Sequence, residues 1–248
     1  TDTILTDFSA DVKRLHILFC LTDGRRIHYN HSKEKTMFET LLFDLDGTLT
    51  DPFEGITNSV VHALGKFGIA VEDRRTLTKF IGPPLFDSFT HFYGMDEATA
   101  RQAIAYYREY FETTGLFENA VYPDIPPVLE ELRRRGKRLV VATSKPEKFA
   151  VQIMKHFSLD GYFSLIAGAT LDDTRIKKAD VIAYALAESG ADGRSSAMIG
   201  DREHDIFGAK ANGLYSVGVL YGFGSREELL RAGAAAIAAT PHALLDIL

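Results

Sequence analysis

One cysteine, Cys20, stands among 248 residues, so no disulfide can form within the chain. Small secreted domains lean on such bridges, and nothing here suggests secretion. Long apolar runs are also missing. The stretch from His16 to Leu21 comes nearest and is far shorter than the roughly 20 residues that cross a bilayer. The first residues are polar and acidic, unlike a signal peptide. Nor is there an excess of positive charge: 28 Lys and Arg against 34 Asp and Glu leave a net charge of −6. That argues against nucleic acid as a main partner, because a phosphate backbone attracts basic faces. It leaves room for a small phosphate ligand, whose charge a bound cation meets locally. No repeat or low-complexity tract interrupts the chain. The expectation is a soluble cytoplasmic protein, with no membrane and no nucleic acid among its partners. Its length allows one large domain or two modest ones.

What is present is concentrated in LLFDLDGTLT, Leu41 to Thr50. An apolar strand delivers Asp44 and Asp46 into a turn at Gly47, a residue free to take the positive φ that breaks a strand sharply. Two carboxylates two positions apart repel each other. A divalent cation with oxygen ligands relieves that repulsion. The segment therefore reads as a strand ending in an acid pair that serves a metal, a nucleophile, or both.

Around this strand the chain falls into blocks. Residues Thr1 to Thr36 are polar, hold His16, His28 and His31, and end in the charged run HSKEK. They read as an N-terminal extension, a mis-called start or an appendage, with Met37 as the native start. The rival reading is a hairpin of LHILFCL and RRIHY about Asp23-Gly24. From Asp51 to Val121 no good strand appears. Helical spacing marks Val60, Val61, Leu64 and Phe67, then short pieces near Leu77 to Ile81 and Leu85 to Phe92. A longer helix spans about Asp96 to Thr113, with Ile104, Tyr107 and Phe111 on one face.

Strand and helix then alternate. Asp124 opens a helix that tolerates Pro126 and Pro127 in its first turn and stops at Gly136. Strands are expected at Arg138 to Ala142, Phe163 to Ala167, Ala197 to Gly200 and Tyr215 to Leu220. Helices are expected from Pro146, over Ala179 to Glu188, and over Asp205 to Ala211. Ser225 and Glu228 form a capping box for a late helix, and Thr240-Pro241 opens the last. Such alternation with apolar strands means an α/β fold, a parallel sheet covered on both faces. Ligands of such sheets sit at the carboxyl ends of the strands. The polar residues falling there are Asp44 and Asp46; Thr143, Ser144 and Lys145; and Asp201 and Asp205. Lys178 lies just before the helix leading into the strand AMIG.

Together these segments resemble the haloacid dehalogenase superfamily of phosphotransferases. The four motifs are DLDGT at Asp44 to Thr48, Thr143 in VVATSKP, Lys178 in KADVI, and GDREHD at Gly200 to Asp205. The resemblance covers Met37 to Leu248. It implies a Rossmann-like parallel sheet core (37–51 and 122–248) with an all-helical cap (52–121) inserted after the first strand. The stretches GLFENAVYPDI and LYGFGSREEL are similar to the phosphoglycolate phosphatase-like and 5'-nucleotidase-like branch.

The resemblance also implies roles. Asp44 would attack phosphorus and carry an aspartyl-phosphate, with Mg2+ held by the Asp44 and Asp201 side chains and the Asp46 carbonyl. Asp205 would hold a metal-bound water or steady the site. Asp46 would be general acid and then general base. Thr143 and Lys178 would stabilise the phosphoryl group, with the amides of Leu45 and Ser144 as further donors. Lys177 is the alternative to Lys178; the register of ADVIAYAL favours Lys178, although the proline that commonly follows the lysine in relatives is absent. Gly82 and Pro83, in the loop Phe80 to Leu85, and Arg108, in YYREYF, are the candidate substrate-facing residues of the cap. Lys145 is a surface or mouth residue, and His204 receives no role. True dehalogenases and phosphonate hydrolases of this superfamily lack an aspartate at the position of Asp46. The implied activity is hydrolysis of a small soluble phosphomonoester, phosphoglycolate or a nucleoside monophosphate. A sugar phosphomutase of the β-phosphoglucomutase type and a non-catalytic phospho-accepting regulator are the alternatives. A receiver domain, however, is about half this length and has no helical insert. The oligomeric state is not legible in the sequence.

Overall fold

The structure is a computed structural model that describes residues 38–172 and 174–248. The expectations for Thr1 to Thr36, and for Met37 as a start, lie outside the described residues. The strands in chain order are β1 (Thr40–Phe43), β2 (Thr50–Asp51), β3 (Ala120–Val121), β4 (Arg138–Pro146), β5 (Leu165–Ala169), β6 (Ser196–Gly200), β7 (Tyr215–Val219) and β8 (Ala236–Ala238). The helices are α1 (Phe53–Gly65), α2 (Leu85–Tyr93), α3 (Glu97–Tyr110), α4 (Ile125–Arg134), α5 (Glu147–His156), α6 (Lys178–Ser189), α7 (Glu203–Ala211), α8 (Arg226–Ala232) and α9 (Leu244–Ile247). Among the described residues no helix is long and apolar enough to cross a membrane.

Six strands form one sheet in the order β5-β4-β1-β6-β7-β8, and every pairing is parallel. The strand order turns back at β1, which is where such sheets open a crevice at their carboxyl ends. Period-two alternation assigns the two faces. Leu41 and Phe43 join the cluster that includes α4 and α5, while Leu42 packs with Val181, Ile182 and Ala185 of α6. The same parity holds along β4, where Leu139 and Val141 face one way and Val140 and Ala142 the other. Each fully buried Leu, Val or Phe contributes about 1.5–3 kcal/mol. The sheet is therefore the rigid part on which side chains at its edge are aimed.

Between β2 and β3 the chain is helical. These two short strands pair antiparallel, Thr50 with Val121 and Asp51 with Ala120, and so bring the start and end of the helical segment together. Asp96 accepts a hydrogen bond from the Thr99 amide at 2.8 Å and caps α3. The helix expected to run to Thr113 instead leaves α-geometry at Tyr110 and widens into a π-turn over Phe111–Gly115. Close packing explains the site of that turn: a Cβ placed on Gly55 of α1 would lie 1.9 Å from the Gly115 carbonyl oxygen.

Elsewhere the expected elements recur with shifted edges. The strand expected at 163–167 begins at Leu165, because Phe163 still donates to the Asp160 carbonyl in a 3₁₀ turn. Half of the expected capping box is present. Ser225 Oγ accepts from the Glu228 amide at 3.0 Å, but the Glu228 carboxylate turns to Arg202 and to the Glu203 amide, both at 2.9 Å. Strand β8, in an alanine run with little β-propensity, was not expected.

The contact between Gly55 and Gly115 generates a stability prediction. Alanine at an exposed helix position normally gains up to about 1 kcal/mol over glycine. Here the added methyl meets backbone that must move, and overpacking costs about 1–3 kcal/mol. Gly55→Ala is expected to lower the urea midpoint by a net loss of about 1–2 kcal/mol. An unchanged or raised midpoint would contradict the packing described.

Candidate active site

Register brings the site together. Phe43 of β1 pairs with Val141 of β4 and Ile199 of β6, so the residues that follow leave the sheet side by side. Asp44 shares the parity of Leu42 and faces α6, whose first residue is Lys178. Gly47 has φ +81°, and a Cβ there would lie 2.3 Å from Asp201 Oδ2. Only glycine lets the loop after β1 pass so close to the residue after β6.

Lys178 is buried, and its ammonium is shared among three acceptors. Nζ lies 2.8 Å from Asp44 Oδ1, 2.8 Å from Asp205 Oδ1 and 3.1 Å from the Ala142 carbonyl oxygen. The Ala142 carbonyl accepts a hydrogen bond from it, and the two carboxylates pair with it as ions. Lys177 is exposed, which separates the two lysines that the sequence left as alternatives. Burial works against the charge of Lys178, but the carboxylates of Asp205 and Asp44 outweigh it and raise its pKa.

Asp44, Asp201 and Asp205 are all buried, and one carboxylate oxygen of each lies within 4.8 Å of the others. Burial, with the neighbouring charges of Asp205 and Asp44, pushes the Asp201 pKa well above the carboxylate range. Burial also raises Asp205, against the opposing pull of Lys178. Asp201 Oδ2 accepts from the Phe223 amide at 2.8 Å, but its Oδ1 has no hydrogen-bond partner in the protein. A hard divalent cation fits this donor set: clustered carboxylate oxygens, one of them buried and unpartnered.

Asp46 belongs to a different neighbourhood. Its side chain is not in the acid cluster; it forms an ion pair with Lys145. Lys145 is buried as well, and its Nζ lies 5.0 Å from the centre of the Phe111 ring, at the start of the π-turn. Burial raises the Asp46 pKa, and Lys145 counters part of that rise. Lys145 is thus neither surface nor rim. Its position directly after the strand-end pair Thr143-Ser144 was the available signal for its involvement.

Thr143 is buried and its Oγ1 accepts from the Lys145 amide at 3.2 Å. The Leu45 amide donates to Asp44 Oδ1 at 2.8 Å, so here it orients the carboxylate. A cavity of about 550 Å³ opens above these groups. Asp44, Asp46, Thr143, Ser144 and Lys145 line its floor on the sheet side. Gly82, Pro83, Phe80, Phe86, Ile104, Tyr107, Arg108 and Phe111 line it from the helical segment. All three candidate residues of that segment therefore face the same space as the acids. Asp201 and Asp205 lie beneath the floor, outside the cavity lining.

Comparison with known proteins agrees with this geometry. The profile of the family "Haloacid dehalogenase-like hydrolase" matches residues 41–219. A 5'-nucleotidase of Pseudomonas aeruginosa is 51% identical over 192 residues, spanning 77% of this chain and 87% of that protein. Tyrosine-protein kinase PtkA of Mycobacterium tuberculosis is 41% identical over 186 residues, 75% of this chain but only 63% of PtkA. The crystal structure of a "predicted phosphatase" from Clostridium acetobutylicum superposes with a TM-score of 0.83 at 51% identity, covering 85% of this chain and 98% of that one. The strand order, the four motifs brought to one sheet edge and these matches lead to one conclusion: the chain belongs to the haloacid dehalogenase-like hydrolase family, as an enzyme of its phosphatase group.

Proposed function

We propose that this protein is a Mg2+-dependent phosphatase that hydrolyses a small phosphomonoester through an aspartyl-phosphate on Asp44. One observation carries the reading. A buried lysine binds Asp44 and Asp205 together, beside an Asp201 oxygen that has no partner, at the floor of a cavity. Asp44 and Asp201 would hold the cation through their side chains and Asp46 through its carbonyl, with Asp205 steadying the group. When bound, Mg2+ would offset the charge of the acids and make the phosphoryl group more electrophilic.

The chain's own residues supply the remaining chemistry. A carboxylate oxygen of Asp44 attacks phosphorus, and the bond from phosphorus to the ester oxygen breaks. The Asp46 carboxyl gives its proton to the departing oxygen, a task helped by the rise in its pKa on burial. A water molecule then attacks the phosphorus of the aspartyl-phosphate, Asp46, now a carboxylate, takes the water's proton, and the bond from phosphorus to the Asp44 oxygen breaks to return the Asp44 carboxylate and free inorganic phosphate. Thr143 donates to a phosphoryl oxygen, and Lys178 neutralises charge that spreads in the transition state. Residues 52–121 act as a cap domain over a core of 37–51 and 122–248, and the cap supplies the walls that select the substrate.

Cavity shape favours one substrate class. At about 550 Å³ it falls within the roughly 300–1,000 Å³ of sites for drug-sized ligands. A two-carbon ester such as phosphoglycolate would leave most of it unfilled. Phe80, Phe86, Tyr107, Phe111 and Phe149 line the walls and suit a planar ring. A nucleoside monophosphate therefore fits better, in line with the name of the 51%-identical relative, a 5'-nucleotidase.

In a screen of phosphoglycolate, nucleoside monophosphates and sugar phosphates, phosphate release is expected with Mg2+ and not with a chelator, greatest for a nucleoside monophosphate. Asp44→Asn is expected to lose about 10²-fold or more; isomerisation of glucose 1-phosphate instead of hydrolysis would favour the mutase alternative, and no release from any ester the regulator. Lys178→Met is expected to lose about 10²-fold in kcat, while Lys177→Met stays at wild-type rate; the reverse ranking would refute the role of Lys178. In a thermal-unfolding titration, Mg2+ is expected to stabilise the wild type by about 2.7 kcal/mol at 100 times its Kd. The same titration of Asp201→Asn is expected to show no shift, and an equal shift in both proteins would remove Asp201 from the metal site.

A further inference from the structure

Arg202 follows the candidate metal ligand Asp201 and precedes α7, yet its side chain leaves the acid cluster and runs toward the helical segment. Its Nη1 donates to the Ile81 carbonyl oxygen at 2.6 Å. Its Nε donates to Glu228 Oε1 at 2.9 Å, and the same carboxylate oxygen accepts the Glu203 amide at 2.9 Å. Both charged side chains are only 17% exposed. The aliphatic stem runs directly under Gly82, where an added Cβ would lie 3.1 Å from Arg202 Cγ. The backbone of Arg202 is itself fixed, because its amide donates to Asp205 Oδ2 at 3.1 Å.

We propose that Arg202 is a specificity-determining positioning residue: braced by Glu228, it sets the place of the loop Ile81 to Pro84, and with it the wall of the cavity that meets the substrate's leaving group. The inference rests on reading the cavity as the substrate site. Three features support it. Gly82, Pro83 and Pro84 line the cavity, whereas Arg202 does not and touches no reacting group. The two prolines carry no amide hydrogen, so this loop has few hydrogen bonds of its own to hold it. A guanidinium serves two acceptors at once from one planar group, and with Glu228 it fixes an external anchor for the loop. The anchor is attached to the segment between Asp201, after β6, and Asp205, in the first turn of α7, so the far wall of the cavity is held in register with the acids. A substrate that reaches the wall is sensitive to this register. One that fills only the floor is not.

Two substrates separate these cases: adenosine 5'-monophosphate, which extends to the wall, and acetyl phosphate, which does not. Both are assayed with the full-length protein in Mg2+. Arg202→Met keeps the stem under Gly82 and removes both donors. It is expected to raise KM for adenosine 5'-monophosphate by about tenfold, with kcat within twofold and acetyl phosphate kinetics unchanged. Arg202→Lys, which retains one cationic donor, is expected to fall between wild type and Arg202→Met. An equal loss on both substrates, or no change on either, would overturn the assignment. If Arg202→Met does not fold, Glu228→Gln, which keeps an acceptor oxygen and removes the brace's charge, is expected to show the same selective rise in smaller measure, and its absence would equally overturn the assignment. Should the wild type hydrolyse neither compound, the substrate-site reading fails by itself, and amide hydrogen exchange tests the anchor. Faster exchange confined to residues 81–85 in the variant supports it, and an unchanged pattern refutes it.

Discussion

The interaction on which the site depends is the buried ammonium of Lys178 between Asp44 and Asp205. Removing charges from water is costly, and burial is tolerated here only because each carboxylate meets a cation or a firm donor. Lys178 does this for Asp44 and Asp205 at once and is itself anchored to the Ala142 carbonyl within β4. One side chain thereby links three sheet-edge segments. The acids still outnumber the buried ammonium groups: Asp44, Asp46, Asp201 and Asp205 against Lys178 and Lys145. Burial raises the pKa of Asp46, Asp201 and Asp205, and the neighbouring carboxylates add to the rise. A cation that Asp44, Asp201 and Asp205 could hold would offset the surplus.

The sheet makes this concentration of charge possible by keeping it at one edge. Parallel pairing sets the ends of β1, β4 and β6 level, and the side-chain alternation of β1 aims Asp44 at α6 instead of α5. The acids thus stand on a sheet whose buried positions are mostly apolar. The helical segment contributes in a different way. Its core, including Leu77, Phe80, Phe89 and Tyr107, is continuous with one face of the sheet. A π-turn then holds Phe111 over Lys145. Packing in the helical segment is therefore felt at Asp46 through a single intermediate side chain.

Much of this was legible in the sequence, for identifiable reasons. Asp44, Lys178 and Asp201 each sit at or beside the end of a regular element, and element ends are what periodicity and turn residues mark; Thr143, expected just past a strand ending at Ala142, lies within β4, which runs on to Pro146. The structure brings these residues to one place. The less legible features share another property: their meaning depends on a partner distant in the chain. Lys145 after a strand reads as a solvated charge until Phe111 is set over it. Glu228 satisfies the local grammar of a capping box with Ser225, yet a buried arginine 26 positions earlier claims its carboxylate. Capping is worth about 1 kcal/mol, and a charge-assisted bond to a mostly buried guanidinium is worth more, so the local pattern gives way. Strand β8 needs only three alanine-rich residues because β7 supplies the template. The π-turn after α3 reflects glycines sixty residues apart, Gly55 and Gly115, which no window along the helix contains.

The two acids of the first motif show how one short segment holds two kinds of chemistry. Asp44 and Asp46 lie on either side of Leu45, whose side chain is locked in the core. That anchor sends the carboxylates into separate surroundings. Asp44 meets Lys178 and the acid cluster, and Asp46 meets Lys145 and the aromatic wall. Burial raises the pKa of Asp46, and its partner Lys145 counters part of that rise. Asp44 shares its lysine with Asp205, whereas Asp46 has a lysine of its own. Had both acids of the motif shared a single lysine, two carboxylates two positions apart would compete for one cation. Separate cationic partners instead let one short turn set both acids at the same sheet edge in two distinct surroundings.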